Sequence, residues 1–382
     1  MDPVLLRLPF LLLAANLLVA LVALAVSAAG TRDDVIKLGF IGPLSGGNAQ
    51  QGLGARNGFL LAVEQANAAG FPYRIEPVVL DDASDPTAGV SAAQKLVNDP
   101  QVMGVSGHWN SSVALATAPI FDRSRVPLIV WGAVSPKITE QNYHYVTRVV
   151  PTLLNENRPL AEAVARGQGI RRIAIISDTS DYGVANTKWF AHFFEAAGGM
   201  VVYAGAASTG TTDFRAMLTS ARARRPDAIY FGGVVTEAAL VRAQMATLGM
   251  AALPMYGISG IYDPKFLEIA GRAAEGTIAG TPSELENPHL RAFEAAYAGK
   301  AYADPAGSYA KYAYEATRIL LRAIERAGTG DREALAAAIR QMQHDGALGT
   351  FRFDRSGQAG LDMKIDLNMV RDGRWQRLPG PG

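Results

Sequence analysis

The sequence predicts an α/β protein of two doubly wound α/β lobes joined by a multi-stranded hinge. Three observations carry this expectation. Short apolar runs of β character alternate with amphipathic helical segments, the pattern of a parallel sheet covered by helices on both faces. The alternation breaks near Val149 to Thr152 and starts afresh. At 382 residues, 49% of them hydrophobic, the chain is too long for one ordinary domain and has apolar material for two cores.

The N-terminus comes first. Arg7 is the only early basic residue, and Leu8 to Val26 is almost wholly apolar. Small residues follow at Ser27-Ala28-Ala29-Gly30, then polar Thr31-Arg32-Asp33-Asp34. This is the layout of a secretory signal peptide over residues 1–29, with cleavage after Ala28 or Ala29. An uncleaved membrane anchor is the competing reading, because about nineteen apolar residues nearly span a bilayer. Pro9 and Asn16 count against it. The chain contains no cysteine, which excludes a lipid-modified N-terminal Cys, disulfides, catalytic thiols and thiolate-bound metals.

Ile36 to Gly42 reads as a buried strand, and Gly54 to Ala69 has apolar residues at helical spacing and stops at Gly70. Strands are expected at Tyr73 to Leu80, Val102 to Ser106 and Leu128 to Trp131, with helices at Pro86 to Val97 and Ser111 to Phe121. The second series places helices at Asn155 to Ala165, Val184 to Ala197, Phe214 to Ala223 and Glu237 to Leu248. Its strands are Arg172 to Ile176, Val201 to Ala204, Ala228 to Phe231 and the short Met255-Tyr256. Three further helices follow, near Leu290 to Ala298, Tyr309 to Ala327 and Arg332 to Met342. The tail then turns to an isolated strand pair, Gly349 to Phe353 and Ile365 to Val370. Such a tail cannot build a third core, so it is expected to complete the first two. The first lobe is then 32–151 plus about 283–345, and the second 152–282 plus about 346–382. Repeated crossings form a hinge, and a ligand of such a pair binds at the strand C-terminal ends facing the cleft.

Several function classes fall away. Net charge is +1, and the densest basic cluster, Arg222 to Arg225, is short and has no aromatic neighbours on which bases could stack, so nucleic acid is not an expected partner. Gly52-Leu53-Gly54-Ala55-Arg56-Asn57-Gly58 imitates a dinucleotide-binding fingerprint, with Asp81-Asp82 ending the next strand. Its last glycine is one position late, however, and about ten residues separate Gly42 from Gly52 where a tight turn is required. His108, His144, His192, His289 and His344 are scattered without metal-ligand spacing, and Gly257-Ile258-Ser259-Gly260 is not a nucleophile elbow. A non-enzyme is expected, with no cofactor and no metal.

What remains is the chemistry of the loops. Gly42-Pro43-Leu44-Ser45-Gly46-Gly47, Gly107-His108-Trp109-Asn110-Ser111-Ser112 and Trp131-Gly132-Ala133-Val134-Ser135 all follow strands of the first lobe. Ser111 and Ser112 are placed to cap the next helix. Free N–H groups at a helix start, with hydroxyls beside them, make a site for a carboxylate or another negative oxygen.

These segments, together with Asp81-Asp82-Ala83-Ser84-Asp85-Pro86, Arg172-Ile173-Ala174-Ile175-Ile176, Asp181-Tyr182-Gly183, Phe231-Gly232-Gly233 and Ala274-Glu275-Gly276, carry a resemblance. In order, from about residue 35 to the end, the chain resembles the periplasmic leucine/isoleucine/valine-binding proteins of the type I periplasmic binding fold. The resemblance implies that a ligand α-carboxylate meets Ser111 and the backbone at Gly132 and Ala133, with Tyr182 and Tyr309 lining the cleft. Ser135, Ser259 and Trp109 complete the candidate ligand-binding set. The departures are instructive. Val134 and Ser259 stand where the family holds the α-ammonium with a threonine and a glutamate, and Val234 replaces a second-lobe tyrosine. Ser84 and Asn110 stand where the family has a cysteine pair. Trp109 and Trp131 add aromatic surface beside the loops, either to the site or to the core. A buried ammonium without an acid partner is costly, so two ligands stay open: a branched-chain amino acid, or a related compound that keeps a carboxylate or carbonyl and lacks a free ammonium, such as an aromatic or aliphatic carboxylate, an amide or a urea. The amino acid gains support if Asp178, Asp181 or Glu237 reaches the cleft.

The implied function is that of a periplasmic solute-binding protein. It would be a monomer that closes by hinge motion on a small molecule and presents it to ABC permease subunits. A ligand-sensing receptor or regulatory domain of the same fold is the alternative.

Overall fold

The computed structural model describes residues 35–283, 286–328, 331–361 and 364–379. The proposed export segment lies outside the described residues. No helix among those described is long and apolar enough to cross a membrane.

The first sheet contains β1 (Val35–Gly42), β2 (Arg74–Asp81), β3 (Val102–Ser106), β4 (Leu128–Val130) and β5 (Val146–Arg148). They run parallel in the order β2-β1-β3-β4-β5. The centre of this sheet is apolar on both faces, as a doubly covered parallel sheet requires. Phe40 of β1 stacks on Trp131 and tilts against Phe59, whereas Ile41 joins the cluster of Leu96, Val105 and Phe121 on the other face.

The second sheet opens with β6 (Arg172–Asp178), β7 (Met200–Ala207), β8 (Ala228–Gly232), β9 (Met255–Ile258) and β10 (Thr277–Pro282). These pair in the order β10-β9-β8-β6-β7, which repeats the winding of the first sheet. A separate hairpin, β11 (Gln343–Gly346) with β12 (Gly349–Arg352), follows. The chain then adds β13 (Ile365–Arg371) antiparallel to β10, and β14 (Arg374–Arg377) beyond it. The tail strands expected as a pair are therefore not partners: one closes a hairpin and the other extends the second sheet. Neither β5 nor β10 is announced by the sequence pattern. Thr-Ile-Ala-Gly-Thr-Pro has the composition of a turn and becomes a strand because β9 and β13 flank it.

The glycine run after β1 has a packing reason. Helix Ala49–Ala68 lies against helix Ala310–Ala327. A Cβ at Gly58 would stand 2.2 Å from the Ala310 carbonyl oxygen, and one at Gly52 would stand 1.8 Å from that of Pro43. These glycines admit neighbouring backbone rather than a pyrophosphate.

The chain passes between the sheets near 149–152, again after β10, and once more between β12 and β13. Arg148, fully buried at the end of β5, ties the last crossing to the first. Its guanidinium donates to Gln358 Oε1 at 2.6 Å, and its main chain bonds both Gly357 O and the Ala359 N–H.

Candidate ligand-binding site

Both sheets direct the C-terminal ends of their parallel strands at one another, and the loops that leave those ends enclose a small cavity. From the first lobe, Trp109 and Ser111 follow β3 and Gly132 follows β4; from the second, Tyr182 follows β6 and Gly260 follows β9, with Tyr309 closing the side. Its free volume is about 20 Å³, room for one water-sized group. The lobes touch directly. The Ser112 hydroxyl accepts the Asp181 N–H at 3.1 Å, and the buried Gln51 amide donates to the Asp263 carboxylate.

Local chemistry shapes each contributor. Helix Ser111–Arg123 is capped by Asn110, whose side chain accepts from the N–H groups of Ser112 and Val113. This corrects the expectation that Ser111 and Ser112 cap it. Asn110 has the extended backbone and side-chain reach of an N-cap, leaving both hydroxyls for other partners. Ser111 Oγ accepts the Ser135 N–H at 3.3 Å, so its own hydrogen remains to be donated into the cavity. The N–H groups of Gly132 and Ala133 both donate to the His108 carbonyl, at 3.1 and 3.0 Å. They fix one loop on the other instead of standing open. His108 is held in turn by Asp82 at 3.2 Å and Thr117 at 2.8 Å, all fully buried.

Five of the eight sequence-derived positions thus line the cavity: Trp109, Ser111, Gly132, Tyr182 and Tyr309. Ser259 lines a second chamber that shares Tyr309 with the first. Ala133 and Ser135 line neither; they stand behind the wall, where their carbonyls receive Arg148 at 3.3 and 2.5 Å. Of the two indoles, Trp109 faces the cavity, whereas Trp131 is fully buried against Phe40. The Tyr182 hydroxyl is buried and has no hydrogen-bond partner among the described residues, so it is ready to meet a polar ligand atom.

The acid that matters is one that sequence reasoning missed. Glu156 is buried in the first turn of helix Leu153–Glu162 and accepts the Ser259 N–H at 3.1 Å. Desolvation by burial pushes its carboxyl up to about 7, against the hydrogen bonds from Ser259. Burial also raises the hydroxyl pKa of Tyr182 and of Tyr309, with the nearby Glu156 charge adding to both. The three acids that the sequence brought into question are engaged elsewhere. Asp178 accepts from Ser180, Glu237 accepts the Gly210 N–H, and Asp181 lies 3.7 Å from Lys137 at the surface. In the sequence, Glu156 is indistinguishable from an acid compensating a helix dipole.

Comparison with known proteins follows the same lines. A family model described as periplasmic binding protein matches residues 35–366. The leucine-, isoleucine-, valine-, threonine- and alanine-binding protein of Pseudomonas aeruginosa is 33% identical over 328 residues, covering 85% of this chain and 87% of its own. Among solved structures, the leucine-binding protein LivK of Thermotoga maritima shares 30% identity with a TM-score of 0.83, covering 90% of this chain and 98% of its own. A solute-binding protein of R. palustris solved with 4-hydroxybenzoate shares the fold at a TM-score of 0.80 and 24% identity, covering 90% and 96%.

Proposed function

This chain belongs to the periplasmic binding protein family, and from that premise we propose that it is the exported solute-binding component of an ABC importer. It closes on a small carboxylate- or carbonyl-bearing molecule and delivers it to membrane permease subunits, acting by binding and not by turnover. One observation carries the ligand assignment. The Ser111 hydroxyl, accepting the Ser135 N–H on one lone pair, keeps a hydrogen for a ligand oxygen inside a cavity walled by both lobes. Tyr182 supplies a second polar group from the opposite lobe. Trp109, Val134 and Val234 provide the apolar walls of a small-molecule site. The names of the leucine-binding relatives support an aliphatic carboxylate as the starting probe.

The test is titration calorimetry of the purified protein and its Ser111→Ala variant with short aliphatic carboxylates. A hydrogen bond to a charged group contributes about 1.5–3 kcal/mol, so the variant is expected to bind at least about tenfold more weakly with its melting transition retained. Equal affinity for both proteins would remove Ser111 from the site.

A further inference from the structure

The second chamber is the larger space. It holds about 340 Å³ between the lobes, within the range of small-molecule sites, whereas the Ser111 cavity has room for one water-sized group. Glu156, Ser259 and Thr281 line it, and so do Asp366 and Asn368 beside the last crossing. Tyr309 is the wall the two spaces share. Its hydroxyl bonds the Ser259 side chain, and its ring meets Trp109 edge-on at 6.2 Å. Glu286, Lys311 and Arg377 complete its charged lining, Arg377 being paired with Asp366 at 2.6 Å, so Glu156 is the buried acid of a chamber that adjoins the carboxylate cavity across a single aromatic ring.

We infer that this chamber is a second ligand compartment with Glu156 as its acceptor, and that the preferred ligand is bifunctional. One carboxylate oxygen occupies the Ser111 cavity, and an amine or amide N–H several bonds away reaches past Tyr309 to Glu156. The inference rests on the solute-binding reading above. An α-ammonium is attached one carbon from its carboxylate and cannot lie across a tyrosine ring from it. The α-position has no acid of its own either, since Val134 and Gly260 line the small cavity where a partner would be needed. A distal donor has Glu156, already desolvated and oriented by Ser259. The ligand class is therefore ω-amino or ω-amido carboxylates rather than α-amino acids.

Three five-carbon probes test this: 5-aminopentanoate, its isomer L-norvaline, and pentanoate, titrated into the wild type, Glu156→Gln and Ser111→Ala. The wild type is expected to bind 5-aminopentanoate at least about tenfold more tightly than either other probe. Glu156→Gln should erase that preference and leave pentanoate unchanged, because the amide keeps an oxygen for Ser259. Ser111→Ala should weaken all three. A second readout needs no variant. Affinity of the wild type for 5-aminopentanoate should fall between pH 8 and pH 6 as Glu156 protonates, while that for pentanoate holds. The groups facing Glu156 are the phenols of Tyr182, Tyr230 and Tyr309, with Lys311, Glu286, Asp366 and Arg377 on the chamber wall. Norvaline binding as tightly as 5-aminopentanoate, no binding of 5-aminopentanoate, or a Glu156→Gln variant that keeps the preference overturns the second compartment. Failure of Ser111→Ala to weaken any probe overturns the carboxylate site beneath it instead.

Discussion

The hydroxyl oxygen of Ser112, on the first lobe, accepts the backbone N–H of Asp181, on the second, at 3.1 Å. Asp181 begins a helix, so its N–H is one of the donors that a helix leaves unpaired. In the proposed hinge motion, closure would satisfy it and opening would return it to water. Contacts of this kind set the closed-state population without touching a ligand.

Ser112→Ala is accordingly expected to favour the open form by about 0.5–1.5 kcal/mol, the net value of one such bond. The measurement is ligand dissociation by stopped flow, which should accelerate severalfold while the thermal midpoint of the ligand-free protein stays put. The nearby Lys137–Asp181 pair is 3.7 Å apart and exposed, so Lys137→Ala should alter neither reading appreciably.

The interface between helices Ala49–Ala68 and Ala310–Ala327 gives a second outcome. Alanine has the better helix propensity by about 1 kcal/mol. At Gly58, however, the added methyl would meet the Ala310 carbonyl at 2.2 Å, and backbone there cannot step aside cheaply. Gly58→Ala should lower stability by about 1–3 kcal/mol in urea unfolding. A methyl added at Gly299 would meet nothing within 4 Å, so Gly299→Ala should be neutral or slightly stabilising.

Arg148 yields the third. Its guanidinium is fully buried and serves Ala133 O, Ser135 O, Thr139 Oγ1 and Gln358 Oε1. Burial pulls its pKa down to about 9, with only Asp354 and Glu140 opposing the shift, so it is still a cation at neutral pH. The planar fork reaches the back of a cleft loop and the last interlobe crossing at once, which an ammonium cannot do. Arg148→Lys should cost about 3 kcal/mol of stability through unpaired acceptors. It should also weaken ligand binding, read by thermal unfolding and calorimetry together.

Much of this was legible in the residues. Apolar runs such as Ile36 to Gly42 and Arg172 to Ile176 announce central strands because burial on both faces demands continuous hydrophobicity. The loops 107–112 and 131–135 identified themselves by small and hydroxyl residues directly after such strands, and both reach the interlobe cavity. What stayed hidden depended on partners distant in sequence. Thr277–Pro282 is a strand because of its neighbours, Asn110 takes the cap from Ser111, and the Gly132 and Ala133 amides turn to His108. Glu156 is the sharpest case, for nothing local ties it to Ser259, 103 positions away.

That same carboxyl makes a prediction about stability in the absence of ligand. Unfolded, Glu156 titrates near its ordinary 4.5; folded, burial raises it to about 7. Between those values the folded state binds more protons than the unfolded one, so this residue's contribution to stability falls as pH rises through the interval. The full effect is about 3 kcal/mol, present below pH 4.5 and lost above pH 7. Glu156→Gln cannot ionise and escapes the penalty. In urea unfolding without ligand the variant should match the wild type near pH 4.5 and exceed it by up to about 3 kcal/mol at pH 8. Parallel stability curves across this range would mean that Glu156 is solvated in the free protein. A cationic ligand group placed on Glu156 should bring the two proteins back together at pH 8, because it supplies the counter-charge that burial withholds.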